Sequence, residues 1–253
     1  MGYVNLSEAI KGSCNCYFYE IGRRIGISQL VEYSKQFGLG AKTGIELSNE
    51  AAGQIAGDGN PKNWYLGDTL SAAIGQSYNA YTPVQLANYI STIANGGDLN
   101  KISLIKQIRN ENDGKDVALS EIEKHSKEFT GVDFKANHID MDPSYINAVK
   151  QGMFSVTNDS GGTANIVFKN SNIQVAGKTG TSQVTSGSNN GIFVGFAPYD
   201  KPKIAVVAII EHGGEGTYTA NVVKPIMEEY FKISTGDKAN EKEQNIVQNR
   251  VEF

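Results

Sequence analysis

The 253 residues, 40% of them hydrophobic and 20% charged, are enough to bury one large core or two small ones. Lys plus Arg number 23 against 27 Asp plus Glu, a net charge of −4, so there is no broad basic surface and a nucleic-acid partner is excluded as the working expectation. No apolar run nears the roughly 20 residues that span a bilayer, and the opening MGYVNLSEA does not resemble a signal peptide; export and anchoring signals are expected upstream of it.

Asn5 or Ser7 can cap a first helix, with Leu6, Ile10, Ile21 and Ile25 as apolar markers on either side of GSCNC at 12–16. A second helix is predicted from Ser28 to Phe37, with Leu30, Val31 and Phe37 turned inward and Gly38 as its stop. TPVQLANYISTIANGG has the clearest helical grammar: Thr82 caps, Pro83 takes the first position and Gly96 terminates. KISLIKQI, near 102–108, reads as a strand ahead of the turn-rich NENDGK. DPSYINAVKQGMFSV predicts another helix from Asp142 and Pro143, with Ile146, Val149, Met153 and Val156 at helical spacing. A strand at 173–178, a hairpin of GIFVGFAP (191–198) with KIAVVAII (203–210), and a last helix near 221–232 imply a sheet with helices packed on it. The polar SQVTSGSNN before Gly191 reads as a loop, and the segment after Ser234 as a frayed tail.

Two short stretches carry chemistry. In QVAGKTGTSQ, at 174–183, Gly177-Lys178-Thr179 matches the last three letters of a phosphate-binding loop, but the full pattern needs a glycine at position 172, which is Asn. The other possibility is a strand edge where Lys178, Thr179 and Thr181 meet an extended peptide ending in a carboxylate, with Gly180 letting the ligand backbone come close. Taken alone, these letters also fit a strand exit with a solvated lysine. In GSCNC, Ser13 and Asn15 are polar side chains two residues apart that can face one cavity while Cys14 points away; alone, they also fit a helix cap. Cys14 and Cys16 form no disulfide framework. They can supply half of a tetrahedral zinc site, completed by His212 or by groups outside the chain, or they are inert buried thiols. His125 and His138 read as surface residues.

Together the two stretches say more. Ser-x-Asn followed far downstream by Lys-Thr-Gly is the order of the second and third motifs of penicillin-binding proteins and serine β-lactamases. The chain resembles the transpeptidase domain of class B penicillin-binding proteins in NLSEAIKGSCNCYFYEIG, in FGLGAKTGIELSNEAAG and in WYLGDTLSAAIGQSYNAYTPVQLANYISTIANGG. The spacing of Trp64, Gly67 and Asp68, with IIEHGGEG at 209–216, is most similar to the elongation-type branch. The resemblance runs from Gly2 to about Lys232. It implies an α+β fold: an antiparallel sheet with helices packed on both faces plus a mainly helical subdomain, incomplete at the N-terminus. Such a domain would occupy 1–233, with a polar tail at 234–253.

The resemblance also implies peptidoglycan D,D-transpeptidation. A serine attacks the D-Ala-D-Ala bond of a stem peptide, an amine from a neighbouring stem resolves the acyl-enzyme, and β-lactams trap the serine. Carried over by position, Ser13 relays a proton to the leaving amine, Asn15 binds the substrate amide, and Lys178 polarises Ser13. Thr179 and Thr181 bind the terminal carboxylate beside Gly180, and the Thr181 amide is one donor of the oxyanion hole. No cofactor is required, zinc at Cys14 and Cys16 being the one candidate. The implied setting is the outer face of a bacterial cell membrane, anchored through an N-terminal segment and working with a wall-synthesis glycosyltransferase.

Two elements depart from the family, one being Cys14-Asn15-Cys16, where other small residues are more usual, and the other the nucleophile. The family's first motif, Ser-x-x-Lys, places nucleophile and lysine one helical turn apart. Only Ser103-Leu104-Ile105-Lys106 has that spelling, in a stretch that reads as a strand and lies after Ser-x-Asn. The nucleophile is therefore expected on an upstream segment, and this chain alone is not expected to be acylated. Alternatives within the same architecture are a D,D-carboxypeptidase or β-lactamase, or a non-catalytic β-lactam-sensing or scaffold domain.

Overall fold

A computed structural model describes residues 2–59 and 62–235. Helix α1 (Leu6–Lys11) starts at Asn5, whose side chain accepts from Glu8 N while the Glu8 carboxylate accepts from Asn5 N, a reciprocal capping box. After a turn at Gly12–Cys14, α2 (Asn15–Gln36) begins at once. Gly26, at φ 75° and ψ 169°, breaks it, so the helix predicted from Ser28 is its second half. Helix α3 (Leu66–Ala73) has no counterpart in the sequence expectations. In α4 (Pro83–Asn95), Thr82 accepts from Gln85 N and Gly96 closes the helix at φ 93°.

A small ribbon pairs β1 (Asp98–Leu99) with β2 (Asn137–His138), separated in the chain by α5 (Leu119–Thr130). The strand predicted at 102–108 does not form; the segment is irregular and reaches only an isolated bridge between Arg109 and Asp116. Among the described residues no strand runs beside it to complete a ladder. A carboxylate holds it instead, with Glu46 accepting from Leu104 N at 2.9 Å, Ser103 Oγ at 2.9 Å and Ser126 Oγ at 2.8 Å. Ser103 and Lys106 are therefore not a helical nucleophile pair.

The central sheet has the order β3-β4-β5 and is antiparallel throughout: β3 (Ala176–Ser182), β4 (Asn190–Ala197) and β5 (Ile204–Ile210). Lys178 stands opposite Val194, and Gly180 opposite Ile192. Strand β3 runs four residues past the end expected from the sequence, so Lys178 to Thr181 lie inside the strand. Helices cover both faces, as the alternation of β4 shows. A Cβ on Gly191 would be 2.5 Å from Thr219 Oγ1 of α8 (Gly216–Thr235), which places α8 on that face. Phe196, of the opposite parity, meets α6 (Pro143–Asn158): Lys150 Nζ is 5.6 Å from its ring centroid and donates to Ala94 O of α4 at 3.0 Å. Phe193 stacks at 5.4 Å on Phe168 of the short α7 (Asn165–Phe168), and with Ile90, Val156, Val223 and Met227 it is sealed from solvent. Of the tail expected at 234–253, Ser234 and Thr235 are instead the end of α8, and 236–253 lie outside the described residues.

Gln85 ties the irregular 39–56 region to this core. Fully buried, its Nε2 donates to Ala41 O at 2.6 Å and Ala52 O at 2.7 Å, while its Oε1 accepts from Thr82 N at 3.0 Å. Gln85→Leu removes all three bonds and should lower unfolding free energy by about 2 kcal/mol. Urea denaturation checks this, and an unchanged midpoint would contradict it.

Candidate active site

The turn that ends α1 aims two polar side chains. Gly12 N, Ser13 N and Cys14 N donate to Glu8 O, Ile10 O and Ala9 O, and this winding sets Ser13 at φ 53°. That left-handed conformation costs a side-chain-bearing residue about 1 kcal/mol, and it allows α2 to start at Asn15 with almost no linker. Ser13 and Asn15 both open into a cleft of about 820 Å³, which Cys14 does not line.

Strand β3 forms the opposite wall. It is an edge strand, and its Gly180 pairs toward β4. The carbonyls of Thr179 and Thr181 are reached from the cleft side: Lys178 Nζ donates to Thr179 O at 2.8 Å, and Gln76 Nε2 to Thr181 O at 2.9 Å. A residue in an antiparallel strand sends its N–H and C=O the same way, so the Thr181 amide also faces the cleft. Lys178 Nζ further donates to Ser13 Oγ at 2.5 Å, bridging residues 165 positions apart. Burial pushes the Lys178 ammonium down to about 8. Thr179 Oγ1 lies 2.7 Å from Thr163 Oγ1.

The structure thus brings Ser13, Asn15, Lys178, Thr179, Gly180 and Thr181 to one opening. Sequence reasoning missed Gln76 and Thr163, which line the same cleft. Gln76 sits inside the longest family-like stretch, and Thr163 ends the glycine-rich turn Ser160-Gly161-Gly162, so both were marked by position but by no chemistry of their own. Cys14 and Cys16 are free thiols. Among the described residues no group of three or more His, Cys, Asp or Glu side chains is placed to hold a metal. The ring of His212, proposed above as a third zinc ligand, is instead 2.9 Å from Ser188 O. His125 and His138 are exposed beside Glu128 and Asp98.

A family profile described as the penicillin binding protein transpeptidase domain matches residues 1–228. The chain belongs to this transpeptidase family. Among relatives, the peptidoglycan D,D-transpeptidase MrdA of Haemophilus influenzae is 32% identical over 251 residues, covering 91% of this chain and 37% of the relative. The present transpeptidase-family chain therefore spans little more than a third of that protein's length. Among solved structures, Pseudomonas aeruginosa PBP2 in complex with WCK 5153 superposes with a TM-score of 0.77 at 34% identity, covering 91% of this chain and 50% of that one. Helicobacter pylori PBP2 in complex with MreC gives 0.74 at 27% identity, covering 93% and 42%. The mixed helical and antiparallel architecture expected from the resemblance is the transpeptidase fold seen in these PBP2 structures.

Proposed function

We propose that this chain forms the carboxylate-binding and proton-relay side of a serine-type peptidoglycan D,D-transpeptidase that β-lactams acylate, and that the nucleophilic serine comes from a segment upstream of these residues. The observation that carries the proposal is the Lys178–Ser13 contact across an open cleft beside the β3 edge. A stem peptide ending in D-Ala-D-Ala would lie along β3 as an added strand. Its carboxylate would be met by the Thr179 and Thr181 hydroxyls and the positive potential of Lys178. The Asn15 side chain would bind the substrate amide.

The upstream serine hydroxyl attacks the carbonyl carbon of the penultimate D-Ala and passes its proton to the lysine of its own upstream Ser-x-x-Lys motif. The negative charge that develops on that oxygen is met by the Thr181 N–H. With Lys178 donating to its lone pair, the Ser13 hydroxyl keeps its own proton for the leaving amine, and Lys178 can replace it. D-Ala departs with the proton from Ser13, leaving an ester on the upstream serine. An amine of a neighbouring stem peptide then attacks that ester, giving up a proton that restores Ser13 as the cross-link forms, and the upstream lysine returns its proton to the released serine. None of these steps calls on a cofactor. The site would face the outer side of the cell membrane, where peptidoglycan lies, in a unit ending near residue 233. The H. pylori relative's complex with MreC supports a protein partner for the whole enzyme, and a wall-synthesis glycosyltransferase is a further proposed one.

Intact mass spectrometry with a fluorescent penicillin tests the division of labour. This chain alone should remain unmodified, whereas the longer protein should gain one adduct, on a serine outside these 253 residues. A covalent adduct on Ser13 or Ser103 would overturn the assignment.

A further inference from the structure

We infer that Thr163 is a positioning residue for carboxylate recognition: its hydroxyl donates to Thr179 Oγ1 and so commits the Thr179 proton to the ligand. The inference rests on the proposed reading of the cleft as a site for peptides with a free C-terminal carboxylate. A hydroxyl has one proton and two lone pairs. The two Oγ1 atoms are 2.7 Å apart, so one of them must donate to the other. If Thr179 donated to Thr163, it would present only lone pairs to an incoming carboxylate, and the two acceptors would repel. With Thr163 as donor, Thr179 has its proton free for the anion, and the two hydroxyls polarise each other in the same sense.

The backbone around Thr163 is fixed so that its hydroxyl stays against Thr179. Thr163 O accepts from Thr217 Oγ1 at 3.0 Å, which ties it to the first turn of α8. Thr163 N donates to Lys11 O at 3.4 Å, at the end of α1 just before the turn that holds Ser13, and Ala164 N donates to Val156 O at 3.0 Å. The preceding turn is packed hard against α6, since a Cβ on Gly162 would be 2.4 Å from both Ser155 O and Val156 O. Three elements thus hold one hydroxyl against Thr179 while leaving it on the cleft wall. A residue needed only for packing would not require its side-chain oxygen there.

The test compares a diacetyl-lysyl-D-Ala-D-Ala peptide with its C-terminal amide in titrations of this chain followed by amide NMR. Wild type should bind the carboxylate at least tenfold more tightly than the amide. Thr163→Val, which keeps the shape and loses the hydroxyl, leaves Thr179 without the donor that orients and polarises its proton, and should weaken the carboxylate peptide about threefold while leaving the amide within about 1.5-fold. Thr163→Ser should retain the preference. Thr163→Ala repeats the measurement should valine disturb the spectrum. Equal weakening of both peptides, or none, would overturn the role of Thr163. Absence of any carboxylate preference in wild type would instead refute the reading of the cleft on which it rests.

Discussion

Replacing Lys178 by methionine is expected to lower the proposed β-lactam acylation of the longer protein about a thousandfold, the middle of the range for losing a positioned acid–base group, and at the same time to make the fold more stable at pH 7. Both results follow from one fact. The ammonium is held in the cleft wall, where burial lowers it from 10.5 to about 8. That displacement measures how much the native state disfavours the charged form, at most about 3 kcal/mol at 1.36 kcal/mol per pH unit. Methionine fills similar space without the charge, and Ser13, which loses its donor, is exposed and can turn to water. A lysine kept for stability would show the opposite change.

The pH dependence separates the two effects. Below about pH 8 both native and unfolded chains bind the proton, and the full cost of the buried charge is present. Between about 8 and 10.5 the unfolded chain still binds a proton that the native chain has released, so wild-type stability rises with pH across that window. The advantage of Lys178→Met should therefore be largest at pH 7 and should close toward pH 10 in urea denaturation. Acylation of the longer wild-type protein should fall above about pH 8, because the proposed relay needs the ammonium. A rate that climbs through pH 8 would make Lys178 a base instead.

The legible parts of this fold were those with local chemistry. Thr82-Pro83 with Gly96, and Asp142-Pro143, specify their helices through capping bonds made within one turn of chain, and the structure places α4 and α6 where these letters start them. The segment near 102–108 has the composition of a strand, yet strand formation depends on a neighbour with open backbone groups, and the residue that holds it, Glu46, is distant in sequence. Helix α5 was legible, but sequence reasoning missed it: Leu119, Ile122 and Phe129 stand at helical spacing among charged residues, although only Ile122 of the three is buried. At the site, Lys178 and Ser13 stood out because their motifs are paired in order along the chain. Gln76 and Thr163 act through single bonds to a strand 105 and 16 positions away, and nothing in their local sequence announces such contacts.

Gly216→Ala is expected to cost at least about 3 kcal/mol of stability and to abolish ligand binding. Gly216 starts α8 directly above the pair formed by Gly180 and Ile192. A Cβ there would be 2.3 Å from Ile192 O, 2.4 Å from Gly180 O and 2.7 Å from Gly180 N. All three are backbone atoms of the ladder joining β3 to β4, so no rotamer change can relieve the overlap. Either α8 lifts, which pulls Thr217 from Thr163 O, or β3 moves, which displaces Lys178 and Thr181 from the cleft. Gly67→Ala is the control. It lies in α3 with nothing within 4 Å of its Cβ position, and the substitution should stabilise by about 0.4–1 kcal/mol through the unfolded chain. Urea midpoints and amide exchange at Gly180 and Ile192 read both variants. If Gly216→Ala left exchange at that pair unchanged, close seating of α8 would not be what holds the β3 edge in place.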